Sequence, residues 1–296
     1  MAKASGKIIL FGEHAVVYGY PGIAVPVKDA AVEVSISPSD YFSYETDREL
    51  YKEEKERLND LLELLFFQLH AEKKDMEIKI RSTIPVASGM GSSAALSVAL
   101  IRAIAEHLGK AIDDKKVNEI AFECEKMFHG TPSGIDNTVV TYGKPVYFYD
   151  GEMYFLKLKK PLHLVIANTG IKSPTKEAVL EVRQRYERDR EEYSALFEKI
   201  GQIAGNAKTA LESGETAQLG GLMDKNHALL QQIGVSCKEL DELVSAAKSA
   251  GALGAKLAGA GKGGNMVALV EQDKKDGVMN SMKKLSKNII YTEVKP

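Results

Sequence analysis

The run Pro85-Val86-Ala87-Ser88-Gly89-Met90-Gly91-Ser92-Ser93-Ala94-Ala95 constrains the fold more than any other stretch. Ahead of it, residues 76–82 alternate Met76, Ile78 and Ile80 with Glu77, Lys79 and Arg81, the pattern of a strand with one buried face. Behind it, residues 96–108 are mostly apolar, rich in alanine and free of Gly and Pro, as a buried helix requires. A strand therefore enters a glycine and serine loop and leaves it as a helix. Glycines let backbone approach a ligand, and the first-turn N–H groups of the helix have no intrahelical partner and sit at the positive end of its dipole. Such a loop suits a polyphosphate. The hydroxyls of Ser92 and Ser93 could reach phosphate or a hard cation.

Other ligands fit less well. Gly89-x-Gly91-x-x-Ala94 also satisfies a dinucleotide fingerprint, but that reading needs a second strand ending in an acidic residue roughly 20 positions on. Here the chain passes Glu106 and Gly109 into another helical segment over 114–128. A Walker A loop is missing too: Gly263 follows Lys262 where Ser or Thr should stand, and Lys256 occupies the place of the first glycine. A tight strand-to-helix turn with no ligand stays open for this loop taken by itself.

With 296 residues, 44% of them apolar, the chain can build one large or two medium domains. A net charge of −2 gives no global attraction to nucleic acid or an acidic membrane, so an anionic ligand must be held locally. No apolar run is long enough to span a bilayer and residues 1–6 carry no signal core, so a cytoplasmic protein is expected. Cys124 and Cys237 stand alone, outside any CxxC pattern, and read as small core residues; the histidines form no HExxH.

In chain order, 7–11 reads as a buried strand running into Gly12-Glu13-His14-Ala15-Val16-Val17-Tyr18-Gly19, which sets an acid and an imidazole at a strand's carboxyl end. Strands follow at 23–27 and 31–36, then a polar surface excursion over 37–55 and an amphipathic helix over 58–70. A helix over 117–128 stops at Gly130 and carries Glu125, which reads alone as a surface carboxylate. The turn-rich run His129-Gly130-Thr131-Pro132-Ser133-Gly134-Ile135-Asp136-Asn137-Thr138 lets Glu125 and Asp136 face one cavity. A hairpin about Asp150-Gly151 and a strand at 162–167 precede a mainly helical stretch from Thr175 to about residue 230. A capping box, Ser236 to Glu239, opens a further helix. The glycine-rich Lys256-Leu257-Ala258-Gly259-Ala260-Gly261-Lys262-Gly263-Gly264-Asn265 enters a strand at 266–270, and a helix and a strand finish the chain. The domain boundary is expected near 159–161, giving domains 1–160 and 161–296.

Three separated motifs, residues 7–19, 85–95 and 256–265, resemble those of the GHMP kinases, in the right order and from end to end of the chain. The wording of 12–19 and 129–137 is similar to the branch of that family that phosphorylates mevalonate. The resemblance implies an α+β, two-domain fold: an N-terminal domain like ribosomal protein S5 domain 2, a ferredoxin-like C-terminal domain and an active site between them. It implies transfer of the γ-phosphate of ATP to the mevalonate 5-hydroxyl. Asp136 matches the catalytic base and Lys7 the lysine beside it; Ser93 and Glu125 match the Mg2+ ligands. Ser82, Pro85, Ser88, Gly89, Met90, Gly91, Ser92, Ser93 and Ala94 match the nucleotide site, and Glu13, His14, Thr175, Gly259 and Ala260 the acceptor pocket. A homodimer is left open, and no nucleic acid or membrane partner is expected.

Two departures stand out. Ser5 replaces the usual Pro before Gly-Lys, and the third motif ends Gly261-Lys262-Gly263-Gly264-Asn265, where the commoner form has another glycine and then a small residue such as Cys. Lys262 is expected to point to solvent. The alternatives are a kinase of phosphomevalonate, which would need additional Lys or Arg near Glu13 that 12–19 does not supply, or a nucleotide-binding relative without catalysis. Lys7, Ser93, Glu125 and Asp136 are all present, which favours an enzyme.

Overall fold

The structure is a computed structural model that describes residues 1–85, 88–130, 132–173 and 175–296. Val86 and Ala87 of the glycine and serine loop and Thr131 of the run before Asp136 lie outside the described residues. The chain forms two compact units: Met1–Gly6, Ala30–Ile84 and Gly91–Gly143 make the first, and Lys7–Asp29, Pro85–Met90 and Lys144–Pro296 the second. The expected boundary near 160 falls inside the second unit. Strands β1 (Ala2–Phe11) and β2 (Gly22–Pro38) pair with each other, and each contributes residues to both units.

In the first unit, β2 pairs antiparallel with β4 (Met76–Ser82), placing Val34 opposite Ile80 and Ile36 opposite Ile78. Met76, Ile78 and Ile80 are buried, as the alternation predicts. A short strand, β3 (Ser43–Thr46), runs parallel to β4 inside the stretch expected to be a surface excursion. Its Ser-Tyr-Glu-Thr sequence has β-formers but no apolar alternation, because its side chains are only partly covered. Four helices complete the unit: α1 (Lys52–Gln68), α2 (Ser92–His107), α3 (Asp114–His129) and α4 (Ile135–Tyr142). α2 packs against the other three and is buried on most of its circumference, which explains its alanine-rich composition. Arg102 on α2 donates to Asp114 at the start of α3 and to the Thr141 carbonyl near the end of α4, both at 2.7 Å. That guanidinium satisfies a helix-terminal carbonyl and fixes three helices at one point.

In the second unit, the residues 22–24 of β2 pair with β5 (Val146–Tyr149), which forms a hairpin with β6 (Glu152–Phe155) through Asp150 and Gly151, both at positive φ as a two-residue turn demands. A four-stranded antiparallel sheet has the order β10 (Asn288–Val294), β7 (Leu162–Asn168), β9 (Asn265–Val270), β8 (Gly254–Ala258). Helices α5 (Thr175–Arg188), α6 (Arg190–Ser213), α7 (Thr216–Gln232), α8 (Lys238–Ser249) and α9 (Lys275–Met282) accompany it, with α7 and α8 on β8 and α9 on β7. The core joins Val165, Ala167, Phe197, Leu243, Leu257 and Met266. α7 and β8 meet backbone to backbone: a Cβ on Gly254 would stand 2.0 Å from the Gly220 carbonyl oxygen, so only glycine fits. Among the described residues no helix is long and apolar enough to cross a membrane.

Three local expectations need correction. The two strands expected at 23–27 and 31–36 are one 17-residue strand, because Lys28 and Asp29 interrupt only the apolar pattern and not the backbone. The Ser236 box does not form: Cys237 is the N-cap without a side-chain bond, and Ser236 Oγ instead donates to Asp241 Oδ1 at 2.5 Å. Lys262 is not left to solvent; its Nζ lies 2.8 Å from Glu181 Oε2 on α5.

Candidate active site

Within the first unit, Gly91 is the N-cap of α2 in the left-handed conformation, φ 68°, so Ser92 and Ser93 open the helix with their N–H groups free of intrahelical partners. Ser92 is exposed, Ser93 half-buried and Ala94 buried. Ser82, at the end of β4, is exposed; its Oγ accepts the Ile84 N–H at 3.3 Å, and its own N–H donates to Asp47 at 2.7 Å.

Glu125 sits on the last turns of α3 but is only 2% exposed, which overturns its reading as a surface carboxylate. Its Oε2 lies 3.7 Å from His129 Nε2, and Ser93 Oγ is hydrogen-bonded to that same nitrogen at 3.2 Å. Two oxygen groups from different helices thus converge on one atom. A hard cation that prefers oxygen and takes only one or two ligands from protein fits this donor set. His129 was missed from sequence as a site residue, although its i,i+4 spacing from Glu125 on a helix was a usable signal.

Asp136 is half-buried in the first turn of α4, after the left-handed N-cap Gly134, where the helix dipole favours a carboxylate. Its neighbour Asn137 is buried and donates to Asn118 Oδ1 on α3 at 2.8 Å, which fixes the helix start. α4 itself was not legible, since Val139 to Tyr142 is β-branched and aromatic and follows a turn-rich run.

Within the second unit, Lys7 lies on β1, is 5% exposed, and its N–H donates to the Met90 carbonyl at 3.0 Å, tying the strand to the glycine and serine loop. Pro85 is half-buried, Ser88 and Met90 are buried and Gly89 is exposed at φ 71°. After β1 comes Gly12, at φ 93°, where a Cβ would stand 2.4 Å from the Pro21 carbonyl oxygen. Glu13 and His14 follow, both buried, with His14 held at φ 62°. A non-glycine residue in that region is uncommon and costs energy that its surroundings must supply.

Those surroundings are the glycine-rich passage over 256–265. His14 Nε2 donates to the Ala260 carbonyl at 2.9 Å, which fixes the neutral tautomer with the proton on Nε2. Burial drives the His14 imidazole down from its ordinary 6.5 to about 4, with the bond to Ala260 opposing the fall. Glu13 is ion-paired with Lys256 Nζ, and both side chains are fully buried. Burial raises the Glu13 carboxyl and lowers the Lys256 ammonium, each offset by the partner's charge; the Gly259 backbone N–H further favours the ionised Glu13. Lys256 Nζ also donates to the Leu257 carbonyl at 2.6 Å, while the Leu257 N–H donates to His227 Nδ1 at 3.3 Å. Lys256 was missed as a partner for Glu13, because a lysine flanked by Ala255 and Leu257 looks like an ordinary strand residue.

Gly259 and Ala260 are half-buried, and Ser173 Oγ donates to the Gly261 carbonyl at 2.5 Å. Thr175 is exposed at the first position of α5. Among the expected acceptor residues, Glu13, His14, Gly259 and Ala260 are therefore gathered at one loop pair, with Thr175 two residues beyond Ser173.

Residues 56–144 match the model described as GHMP kinases N terminal domain, and residues 207–288 match GHMP kinases C terminal. The chain is 37% identical to the mevalonate kinase of Pyrococcus furiosus, over 93% of this chain and 90% of that one. The chain belongs to the GHMP kinases. Among solved structures, this GHMP kinase is similar to L. major mevalonate kinase in complex with R-mevalonate, with a TM-score of 0.89, 32% identity and coverage of 99% and 95% of the two chains. It is also similar to the Methanococcus jannaschii mevalonate kinase, at a TM-score of 0.86, 25% identity and coverage of 99% and 97%. The mixed α+β fold expected from the sequence is that of this family.

Proposed function

We propose that this GHMP kinase transfers the γ-phosphate of ATP to the 5-hydroxyl of mevalonate, giving 5-phosphomevalonate. Its relatives carry the name mevalonate kinase at 37% identity over nearly the whole chain. The observation that carries the chemical reading is the convergence of Ser93 Oγ and Glu125 Oε2 on one nitrogen, His129 Nε2. The burial of Glu125 beside the serine that opens α2 supports a shared role in holding a cation.

Phosphoryl transfer asks a protein for positioning, charge neutralisation and a base rather than for covalent chemistry. The residues Ser88 to Ala94, with Ser82 and Pro85 flanking, supply backbone N–H groups and hydroxyls for the nucleotide phosphates. Ser93 and Glu125 would hold Mg2+, which when bound neutralises charge on the phosphate oxygens. Asp136 accepts the proton of the attacking hydroxyl, and Lys7 supplies positive charge for the developing alkoxide. Glu13, His14, Thr175, Gly259 and Ala260 orient the acceptor, with the neutral His14 ring able to accept a hydrogen bond at Nδ1.

The test is turnover of a panel of acceptors by the purified protein with ATP and Mg2+. Mevalonate should be phosphorylated, and Asp136→Ala should lower the rate by about 10² to 10⁴. Robust turnover of phosphomevalonate without mevalonate, or nucleotide binding without any transfer, would overturn the proposal.

A further inference from the structure

The third motif ends in Asn265, where the commoner family form carries a small residue. Asn265 is 2% exposed and heads β9. Its Nδ2 donates to the Ser88 carbonyl at 2.6 Å, and its Oδ1 accepts from Asn168 Nδ2 at 2.8 Å. Asn168, at the end of β7, in turn accepts the Gly170 N–H on its Oδ1 at 2.8 Å.

The direction of this relay is fixed at both ends. A peptide N–H can only donate and a peptide carbonyl can only accept, so Gly170 sets the orientation of the Asn168 amide and Ser88 sets that of Asn265. Between them the two amides have one consistent arrangement, with oxygen and nitrogen facing each other. Neighbouring bonds hold the same turn in place: Thr169 donates to the Gly264 carbonyl through its N–H at 2.9 Å and its Oγ1 at 3.1 Å, and the Gly264 N–H donates to the Ile171 carbonyl at 3.0 Å. The far end of the relay is Ser88, whose buried Oγ has no hydrogen-bond partner among the described residues. A buried hydroxyl in that condition is costly unless a ligand satisfies it.

We infer that Asn265 is a positioning residue for nucleotide phosphate: through the Ser88 carbonyl it sets the orientation of Ser88, whose hydroxyl is offered to a phosphate oxygen. This rests on the reading of Ser88 to Ala94 as the nucleotide loop. Asn265 itself touches no phosphate; it acts through Ser88. A cysteine or alanine at 265 cannot donate a comparable bond, so this chain holds its loop by a device that the commoner form of the motif lacks.

The experiment measures ADP affinity by calorimetry in the presence of Mg2+, beside the KM for ATP and for mevalonate, in two variants. Asn265→Ala removes the relay at its centre. Asn168→Asp keeps the acceptor for the Gly170 N–H but turns an anion toward Asn265 Oδ1, which reverses the amide and aims its oxygen at the Ser88 carbonyl. Since Asn168 is only half-buried, this variant reads the relay even if Asn265→Ala fails to fold. Each variant should weaken ADP binding by about tenfold, the worth of one buried hydrogen bond and the acceptor it strands, with the mevalonate KM within about twofold of the wild type. The double variant should be no weaker than the worse single one, because both cut the same chain. Unchanged ADP affinity in Asn168→Asp, or equal losses for ADP and mevalonate, would overturn the inference by reducing Asn265 to a packing role. Wild-type protein that binds ADP but leaves mevalonate untouched would instead count against the proposed acceptor, and the ADP arm would still decide the role of Asn265.

Discussion

Glu13 and Lys256, 243 residues apart in sequence, form an ion pair from which water is wholly excluded. The pair fixes the loop that carries His14 against β8, the strand that opens the third motif. Its members are unequal to isolation: either one alone would be a buried charge with no partner.

Lys256→Met is therefore expected to lose about 3 to 5 kcal/mol of stability, the cost of stranding one half of a buried pair. Adding Glu13→Gln should recover much of that loss, since the remaining amide carries no charge. Urea denaturation of the two variants checks this. Equal stability of the single and double variants would show that Glu13 does not depend on Lys256.

Stability should also depend on pH through His14. Its folded value of about 4 lies below the ordinary 6.5, so the unfolded chain binds the proton more readily. The contribution is complete above about pH 6.5 and declines as pH falls towards 4, by roughly 3 kcal/mol over the whole window. His14→Asn removes the titrating group and should flatten that part of the profile. Denaturation midpoints of both proteins at pH 7 and pH 5 give the comparison, and parallel profiles would refute the assignment.

Magnesium dependence should separate Ser93 and Glu125 from the acceptor residues. Glu125→Gln and Ser93→Ala are expected to raise the Mg2+ concentration needed for half-maximal turnover by about tenfold or more, with a smaller change in the mevalonate KM. A titration of Mg2+ at saturating ATP measures it; an unchanged requirement would remove both residues from the cation site.

Gly220→Ala should be strongly destabilising although it adds one methyl group. The new Cβ would lie 2.3 Å from the Leu253 carbonyl oxygen, so α7 would have to move away from β8. Overpacking of this kind costs about 1 to 3 kcal/mol or more. Gly221→Ala, whose Cβ meets nothing within 4 Å, is the matched control and should be neutral or mildly stabilising in thermal melts.

Much of this was legible because it is local. The alternation at Met76, Ile78 and Ile80, the alanine-rich α2 and the turn between them at Gly89 and Gly91 follow from short-range sterics and burial. β3 and α4 were hidden, since both are short and depend on tertiary neighbours rather than on propensity: β3 needs β4 beside it, and α4 needs Arg102 and Asn118. Lys256 and Asn265 were invisible as site residues for another reason. What each does is defined by a partner 177 or 243 positions away, and no spacing rule reaches that far.

The alternation of the chain between its units, at 6/7, 29/30, 84/85, 90/91 and 143/144, has a consequence for synthesis. Every segment of the first unit has left the ribosome once residue 143 emerges, so that unit can mature while translation continues. The second unit cannot: Leu10, Phe11, Ile23 and Val25 are made early, yet the strand that pairs with residues 22–24 begins at Val146. A nascent chain stalled near its midpoint would lack the strand that pairs with residues 22–24, and a gene cut there would encode an unfinished second unit.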